Sequence, residues 1–223
     1  MKILDFIFLH RNWALDRLKF GRRIRRIGSY GLPYNLLIFP EGTTMNSNAF
    51  RKGQEYAKTN GLPVLKHVLL PRVTGTEAAV NALRQKGAAN DKSGSSAPLD
   101  GILDLTVGYS GMSPNVIPED FYGLVSILMD GHAPPIIHVH ASYVPLKDIP
   151  STGDGKEFAG WLTDRFRQKD DMMKEFYSTG KFKGKASKKV SIAPRIAIWH
   201  LFGLVFMFHV VVLALIWLFK CNS

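Results

Sequence analysis

The chain is poor in cysteine and comparatively poor in acidic residues. Only Cys221 is a cysteine among 223 residues, which excludes an internal disulfide and agrees with a reducing compartment. Asp and Glu total 18 against 29 Lys and Arg, so the formal net charge is +11. This excess predicts an anionic partner, such as nucleic acid, a phosphorylated small molecule or an anionic membrane face. The chain also has no internal repeat.

Residues 196–219 contain no Asp, Glu, Lys or Arg. At about 1.5 Å per residue, a helix over this range is long enough to cross a hydrocarbon core of about 30 Å. Trp199 and Trp217 lie near its two ends, where indole rings favour the membrane interface, and Arg195 and Lys220 bracket it. The sequence therefore predicts a C-terminal transmembrane helix rather than a buried core helix.

The distribution of basic residues predicts the orientation of this helix. A lysine-rich group over residues 181–195 precedes it, whereas only Lys220 follows closely. The positive-inside rule then places residues 1–195 in the cytosol. His200 and His209 inside the helix are interpreted as neutral side chains that hydrogen-bond locally, since a proton relay needs partners that the sequence does not identify.

Hydrophobic periodicity predicts alternating strands and helices. Strands are predicted over residues 3–9, 34–39, 64–70, 102–109 and 136–143. Helices are predicted over residues 13–27, 47–60, 76–84 and 156–177. The last helix is highly charged, and its apolar stripe consists of Phe158, Trp161, Leu162, Phe166 and Met173. Such alternation predicts an α/β domain, with a polar, Gly- and Ser-rich loop over residues 86–101.

One predicted strand ends in residues that are typical of a ligand-binding turn. The run "LLIFPEGTT" at residues 36–44 stops at Pro40, and Glu41, Gly42 and Thr43 follow at once. Strand ends in open α/β sheets are where ligands bind. A glycine lets backbone N–H groups approach a ligand, and threonine hydroxyls suit phosphate oxygens. Taken alone, the pattern is equally that of an ordinary capped turn.

The neighbouring segments change this interpretation. The ordered set "FIFLHRNW" (6–13), "LLIFPEGTT" (36–44) and "SNAFRKGQEYAKTNGLPVLKHVLLPR" (47–72) resembles the glycerophospholipid acyltransferases. It is most similar to the eukaryotic branch that contains the lysocardiolipin and lysophosphatidic acid acyltransferases. The later "ILDLTVGY" and "IIHVHASYVPL" are similar to the same branch, so the resemblance covers roughly residues 6–177.

The resemblance implies transfer of an acyl chain from acyl-CoA to a lysophospholipid hydroxyl at the endoplasmic reticulum membrane. Acyl-CoA is then a co-substrate, and neither a cofactor nor a metal is implied. The substrate-binding residues that the resemblance implies are Arg11, Phe39, Pro40, Glu41, Gly42, Thr43 and Arg72. Arg11 would contact the acceptor phosphate, the block 39–43 would also bind the acceptor, and Arg72 would lie near the acyl pocket. Arginine suits a phosphate monoester because its guanidinium is a planar fork of donors.

The same resemblance implies a catalytic histidine and aspartate separated by four residues, which this chain lacks. None of the 7 histidines is followed by an aspartate at that spacing, and His10 and Asp16 are one position too far apart.

His138 and His140 alternate on a predicted strand and so share a face. That geometry suits a metal pair, but no third ligand is evident, and we interpret them as structural. No catalytic residue is assigned.

These observations predict the C-terminal part of such an acyltransferase, as a truncated gene model, a splice product or a degenerate paralogue. Residues 1–150 would be an acyltransferase domain without its N-terminal part. Residues 151–195 would be a charged helix with a basic juxtamembrane segment, and residues 196–219 the transmembrane helix. We expect exposed apolar surface on the α/β part and marginal stability.

Two other functions stay open from the residues alone. One is a non-catalytic, membrane-anchored protein that binds lysophospholipid or regulates a complete enzyme. The other is a nucleic-acid binder, which the basic residues over 17–26 suggest. The apolar span and the lack of a nucleic-acid-binding motif count against it. The Arg-rich residues 1–30 also resemble a mitochondrial presequence, although Asp5 and Asp16 disfavour that interpretation.

Overall fold

The computed structural model describes residues 13–28, 34–84, 99–114, 116–150, 155–184, 186–190 and Met207. The chain divides into two compact units, Met1–Lys183 and Gly184–Ser223. Every helix and strand described below lies in the first unit. That unit combines helices with a sheet, so the expected mixed α/β class is correct at this level.

Three helices precede the strands, and each begins where the local sequence favours it. They are α1 (Trp13–Gly28), α2 (Ser47–Thr59) and α3 (Val73–Arg84). The side chain of Asn46 caps α2 by accepting a 2.9 Å hydrogen bond from the Ala49 amide. Helices α1 and α3 pack together through a small buried cluster of Phe20, Ile24, Ala79 and Ala82.

The sheet has two antiparallel strands, β1 (Gly101–Tyr109) and β2 (Ile137–Pro145). Two short helices, α4 (Pro118–Phe121) and α5 (Leu124–Met129), lie between them, and a 3-10 turn (Leu146–Asp148) follows β2. In the register, Leu103 pairs with Tyr143, Val107 with Val139 and Gly108 with His138. Both strands were expected, and the observed bounds differ from the expected ones by one or two residues.

The long helix α6 (Lys156–Thr179) organises the main core. It buries Phe158, Leu162, Phe166, Lys169, Met173 and Phe176. The helix ends at Gly180, whose φ of 71° is in the left-handed region that glycine adopts easily, and the Gly180 amide donates to the Phe176 carbonyl. The predicted apolar stripe is confirmed except at Trp161, which is only partly buried.

The two faces of the β1–β2 sheet have an unusual distribution of polarity. The side toward α6 carries Asp104, Thr106, His138 and His140, and the helix faces it with Arg165, Lys169 and Phe176. The opposite face carries the exposed side chains of Leu103, Leu105, Val107, Ile137, Val139 and Tyr143. The expected exposed apolar surface is therefore present within the described residues.

Two predicted strands are wrong. Residues 34–39 are extended but pair with no strand among the described residues, and Leu37 and Phe39 point outward with 71 % and 74 % exposure. Residues 64–70 contain a bend instead of a strand. The Asp170 carboxylate of α6 accepts hydrogen bonds from three consecutive backbone amides there. A single carboxylate thus replaces the partner strand as acceptor.

The remaining boundaries differ in smaller ways. Helix α3 begins at Val73 rather than at residue 76, directly after the Pro71–Arg72 pair, and α4 and α5 were not predicted. The described residues contain no helix long and apolar enough to cross a membrane. The predicted transmembrane range 196–219 lies outside the described residues except for Met207, and the predicted strand 3–9 lies outside them entirely. Of the predicted loop 86–101, only residues 99–101 are described, and Gly101 begins β1.

Candidate functional site

The "FPEGT" segment forms a tight turn. The amide of Gly42 donates a 3.0 Å hydrogen bond to the carbonyl oxygen of Phe39, which closes the turn over Pro40 and Glu41. Gly42 has a φ of 67°, a left-handed conformation that side chains with a Cβ atom rarely adopt. Thr43 follows with an exposed side chain, so the hydroxyl is accessible to a ligand.

Arg72 lies directly against this turn. Its amide donates a 2.7 Å hydrogen bond to the Pro40 carbonyl. Its side chain crosses Gly42 so closely that a Cβ atom at Gly42 would lie 2.8 Å from the Arg72 Cδ. The structure therefore brings together Arg72 and the block 39–43, which are far apart in sequence. Arg11 lies outside the described residues, so its expected place beside this turn stays a prediction.

Gly42→Ala is expected to destabilise the protein by about 1–2 kcal/mol, because alanine is strained in the left-handed region. The new methyl group would also displace the Arg72 stem from its contact. The matched control is Gly53→Ala in α2, where a Cβ atom meets nothing within 4 Å. There alanine should stabilise by about 0.5–1 kcal/mol. Chemical denaturation measures both, and a destabilisation of equal size in both variants would contradict the strained turn.

Glu41 is half-buried at the centre of the turn. Burial raises the pKa of the Glu41 carboxyl above its ordinary value of 4.5, and the charge of Lys169 acts in the opposite direction. The pKa shift is upward overall, so the proton is held more strongly in the folded protein. This carboxyl is suited to orient a neighbouring donor or to accept from a substrate hydroxyl, but not to attract phosphate.

The raised pKa of Glu41 predicts a pH-dependent loss of stability. As pH rises above 4.5, the unfolded chain loses this proton first, so the free energy of unfolding falls until pH passes the raised folded-state pKa. Glu41→Gln removes this titration. We expect the variant to gain stability over the wild type across that window and to keep a constant advantage above it. Denaturation at several pH values measures this, and an advantage for the wild type above the window would contradict it.

A buried ionic cluster lies behind the turn, on the inner face of β1. Asp104 Oδ2 accepts two hydrogen bonds from Arg165, at 2.8 and 3.2 Å, and Asp104 Oδ1 lies 2.5 Å from the Lys169 Nζ. Lys169 also donates to the Leu105 carbonyl at 2.7 Å. The charge of Lys169 also lowers the pKa of Glu41, against the larger effect of burial.

Sequence reasoning missed this cluster. One signal was available, because Lys169 falls at helical spacing between Phe166 and Met173, inside the apolar stripe of α6. A lysine in such a stripe is expected to have a buried partner. The partner Asp104 was not identifiable from the sequence, since it lies on a strand distant from α6 along the chain.

His138 and His140 lie on the same face of β2, as predicted. The ring of His138 packs edge-on against Phe176 with centroids 5.2 Å apart, and that of His140 lies 5.9 Å from Phe182. No group of three or more potential metal ligands occurs in the part of the chain that the structure describes. His138 has an additional partner, because its Nε2 lies 2.8 Å from the Ser110 Oγ.

The comparisons with known proteins point to one family. The acyltransferase C-terminus family model matches residues 128–208, which include β2 and α6. Residues 128–208 belong to the acyltransferase C-terminus family. This region supplies His138, Arg165, Lys169 and Asp170, whereas the Glu41–Gly42 turn precedes it.

Several curated acyltransferases are similar to this chain over most of its length. A 2-acyl-1-lysophosphatidylinositol acyltransferase of Saccharomyces cerevisiae is 30% identical over 82% of this chain and 51% of its own length. Lysocardiolipin acyltransferase 1 of Gallus gallus is 32% identical over 81% of this chain and 43% of its own. A 1-acyl-sn-glycerol-3-phosphate acyltransferase 2 of Brassica oleracea is 31% identical over 83% of this chain and 42% of its own.

The chain spans about half the length of these curated relatives. No solved structure matches it. The relatives place the chain among the glycerophospholipid acyltransferases, and their names differ in the lysophospholipid that each enzyme acylates. The resemblance inferred from the sequence is thus confirmed at the level of the family.

Proposed function

We propose that this chain takes part in the acyl-CoA-dependent acylation of a lysophospholipid hydroxyl, of the 1-acylglycerol-3-phosphate or lysocardiolipin type. The observation that carries the proposal is the contact of Arg72 with the Glu41–Gly42 turn. The exposed Arg72 side chain against Gly42 and the exposed Thr43 next to it are donor groups of the type that binds a phosphate monoester. Acyl-CoA and the lysophospholipid are the proposed substrates.

We further propose that the chain is anchored in the endoplasmic reticulum membrane by a helix over residues 196–219, with the preceding residues in the cytosol. The support is the uncharged character of this range and the basic residues before it. Membrane attachment would bring the chain to the surface where lysophospholipids reside. Protease protection in microsomes tests the orientation, and cleavage of residues 13–184 only after detergent addition would contradict it.

Lipid binding tests the site directly. The purified full chain is titrated with vesicles that carry lysophosphatidic acid or, as a control, lysophosphatidylcholine. Arg72→Ala is expected to weaken binding to lysophosphatidic acid roughly ten-fold, which corresponds to about 1.4 kcal/mol for one charge-assisted pair. The matched control is Arg51→Ala, an exposed arginine whose partner is Glu55 on the same helix. An equal loss of binding in both variants would mean that only the overall positive charge matters, and it would overturn the assignment of a phosphate site at Arg72.

Catalysis requires a base that the sequence does not provide at the family spacing. With labelled acyl-CoA and lysophospholipid, we therefore expect no acylated product from the chain by itself. The alternative function is that of a membrane-anchored paralogue that binds lysophospholipid or regulates a complete enzyme. Robust formation of phospholipid product would instead establish an active enzyme and overturn the missing-base argument.

A further inference from the structure

A pocket of about 320 Å³ lies where the end of β1 meets the C-terminal turns of α6. Its walls include Tyr109, Ser110, Met112, Ser113, Phe176 and Tyr177. None of these residues belongs to the Glu41–Gly42 turn. All lining side chains are uncharged at physiological pH, and burial raises the pKa of the Tyr177 phenol further above its ordinary value of 10.0. Such walls favour an apolar or neutral ligand group over an ionic one.

A serine and a histidine meet at the edge of this pocket. The Ser110 Oγ lies 2.8 Å from the His138 Nε2, a hydrogen-bonding distance. In the tautomer with the proton on Nδ1, Nε2 accepts from the serine hydroxyl. A hydroxyl nucleophile in contact with an imidazole base is the basic unit of serine-dependent acyl transfer.

The backbone and a neighbouring ring hold the pair in place. The Ser110 amide donates a 3.0 Å hydrogen bond to the Ile136 carbonyl, which extends the β1–β2 ladder by one residue beyond the strands. The His138 ring packs edge-on against Phe176 at an interplanar angle of 64°. This contact restricts rotation of the imidazole, although no carboxylate performs that task among the described residues. The pair is therefore positioned but not fully activated.

The turn after Ser110 provides free donors. Gly111 has a φ of 80°, and within the described residues the backbone N–H groups of Gly111 and Met112 donate no hydrogen bond. Unengaged amides directly after a nucleophile are the type of group that stabilises an oxyanion. Both residues also line the pocket that Ser110 borders.

We propose that Ser110 and His138 form a nucleophile–base pair that takes an acyl group from an activated acyl compound, an ester or a thioester, whose chain lies in this pocket. The Ser110 oxygen forms a bond to the carbonyl carbon, and the bond to the leaving thiol or alcohol breaks. The hydroxyl proton passes to the His138 Nε2 and then to the leaving group. Water hydrolyses the acyl-serine, releases the carboxylic acid and restores the serine hydroxyl. This activity goes beyond the proposed function and does not rest on the Arg72 site.

A purely structural hydrogen bond between the end of β1 and β2 makes a different prediction. Loss of either partner would then reduce stability, but Ser110 would not become covalently modified. The experiment must therefore detect a bond to Ser110 itself. Its readout is free acid and a serine adduct in the absence of any lysophospholipid, which separates it from formation of phospholipid product.

The full chain in detergent micelles is incubated with a fluorophosphonate probe, with p-nitrophenyl butyrate as the ester and with palmitoyl-CoA as the thioester. Intact mass and peptide mapping are expected to locate one adduct at Ser110, and release of nitrophenol or free thiol measures turnover. If only the ester or only the thioester is turned over, that compound identifies the class of acyl donor that the site accepts. The absence of any adduct at Ser110 in the wild-type chain with all three reagents overturns the proposal.

Matched variants separate the roles of the two residues. Ser110→Ala should abolish the adduct, whereas Ser113→Ala, which alters the same pocket, should keep it. His138→Gln should slow labelling by roughly 100-fold, the lower range for loss of a general base, whereas His140→Gln on the same strand face should not. Thermal melts check that each variant is folded. Labelling of Ser110 that is equally fast in His138→Gln and in the wild type would overturn the assignment of the base.

Discussion

Asp104→Ala is expected to lower the free energy of unfolding by about 3–5 kcal/mol, the cost of leaving buried charges without their partner. Asp104 accepts from Arg165 and Lys169, and the side chains of all three are at most 22 % exposed. Without this carboxylate, two cations would lie close together beneath the sheet. Urea denaturation of the variant and the wild type measures the difference.

The same helix offers a matched control. Asp164 pairs with Arg167 at 3.4 Å, but both side chains are more than half exposed. Asp164→Ala is therefore expected to cost under about 1 kcal/mol, because solvent screens surface ion pairs. Similar losses in the two variants would show that the burial of the Asp104 cluster contributes nothing beyond an ordinary ion pair.

Asp170→Ala is expected to destabilise the protein by about 2–4 kcal/mol. One oxygen of this carboxylate accepts from the amides of Lys66, His67 and Val68, at 2.9, 2.5 and 3.1 Å. Hydrogen bonds to a charged group contribute about 1.5–3 kcal/mol each, but three that share one acceptor are not additive. The bend leads to Arg72, so the variant should also lose lipid binding. Denaturation and vesicle titration measure the two effects.

Two controls make this second prediction specific. Asp171→Ala alters the neighbouring position, where the side chain is 71 % exposed and lies 3.9 Å from Arg167, so its cost should stay under about 1 kcal/mol. Asp170→Asn keeps one acceptor oxygen and should fall between alanine and the wild type. If asparagine were as damaging as alanine, the charge rather than the geometry of the acceptor would decide the stability of the bend.

Local sequence patterns were sufficient for the long helices α1, α2, α3 and α6 and for the paired strands, but not for the short helices α4 and α5. Asn46 caps the start of α2, and Gly180 ends α6 because glycine accepts a left-handed backbone. The β-branched residues of β1 and β2 placed both strands. The "FPEGT" turn was also recognisable, because Pro40 restricts the backbone and Gly42 can adopt the left-handed conformation that the turn requires. Each of these signals acts within a few residues.

The same patterns failed where a distant polar group decided the backbone. An apolar run at residues 64–70 is typical of a strand, but Asp170 supplies the acceptor for three of its amides from about a hundred positions away. The sequence identified α6 as a highly charged helix, but it did not show that Arg165 and Lys169 turn inward to Asp104. Composition and periodicity do not specify which distant groups meet, so neither arrangement followed from the sequence.

The sequence by itself determined the family, the turn that carries Glu41 and Gly42, and the absence of the expected histidine–aspartate spacing. Only the tertiary structure brought Arg72 onto Gly42, Lys169 toward Glu41 and Ser110 to His138. The physical reason is the range of the interactions. Backbone preferences and capping are local and can be read from neighbouring residues, whereas hydrogen bonds and ion pairs between distant elements exist only after the chain has packed.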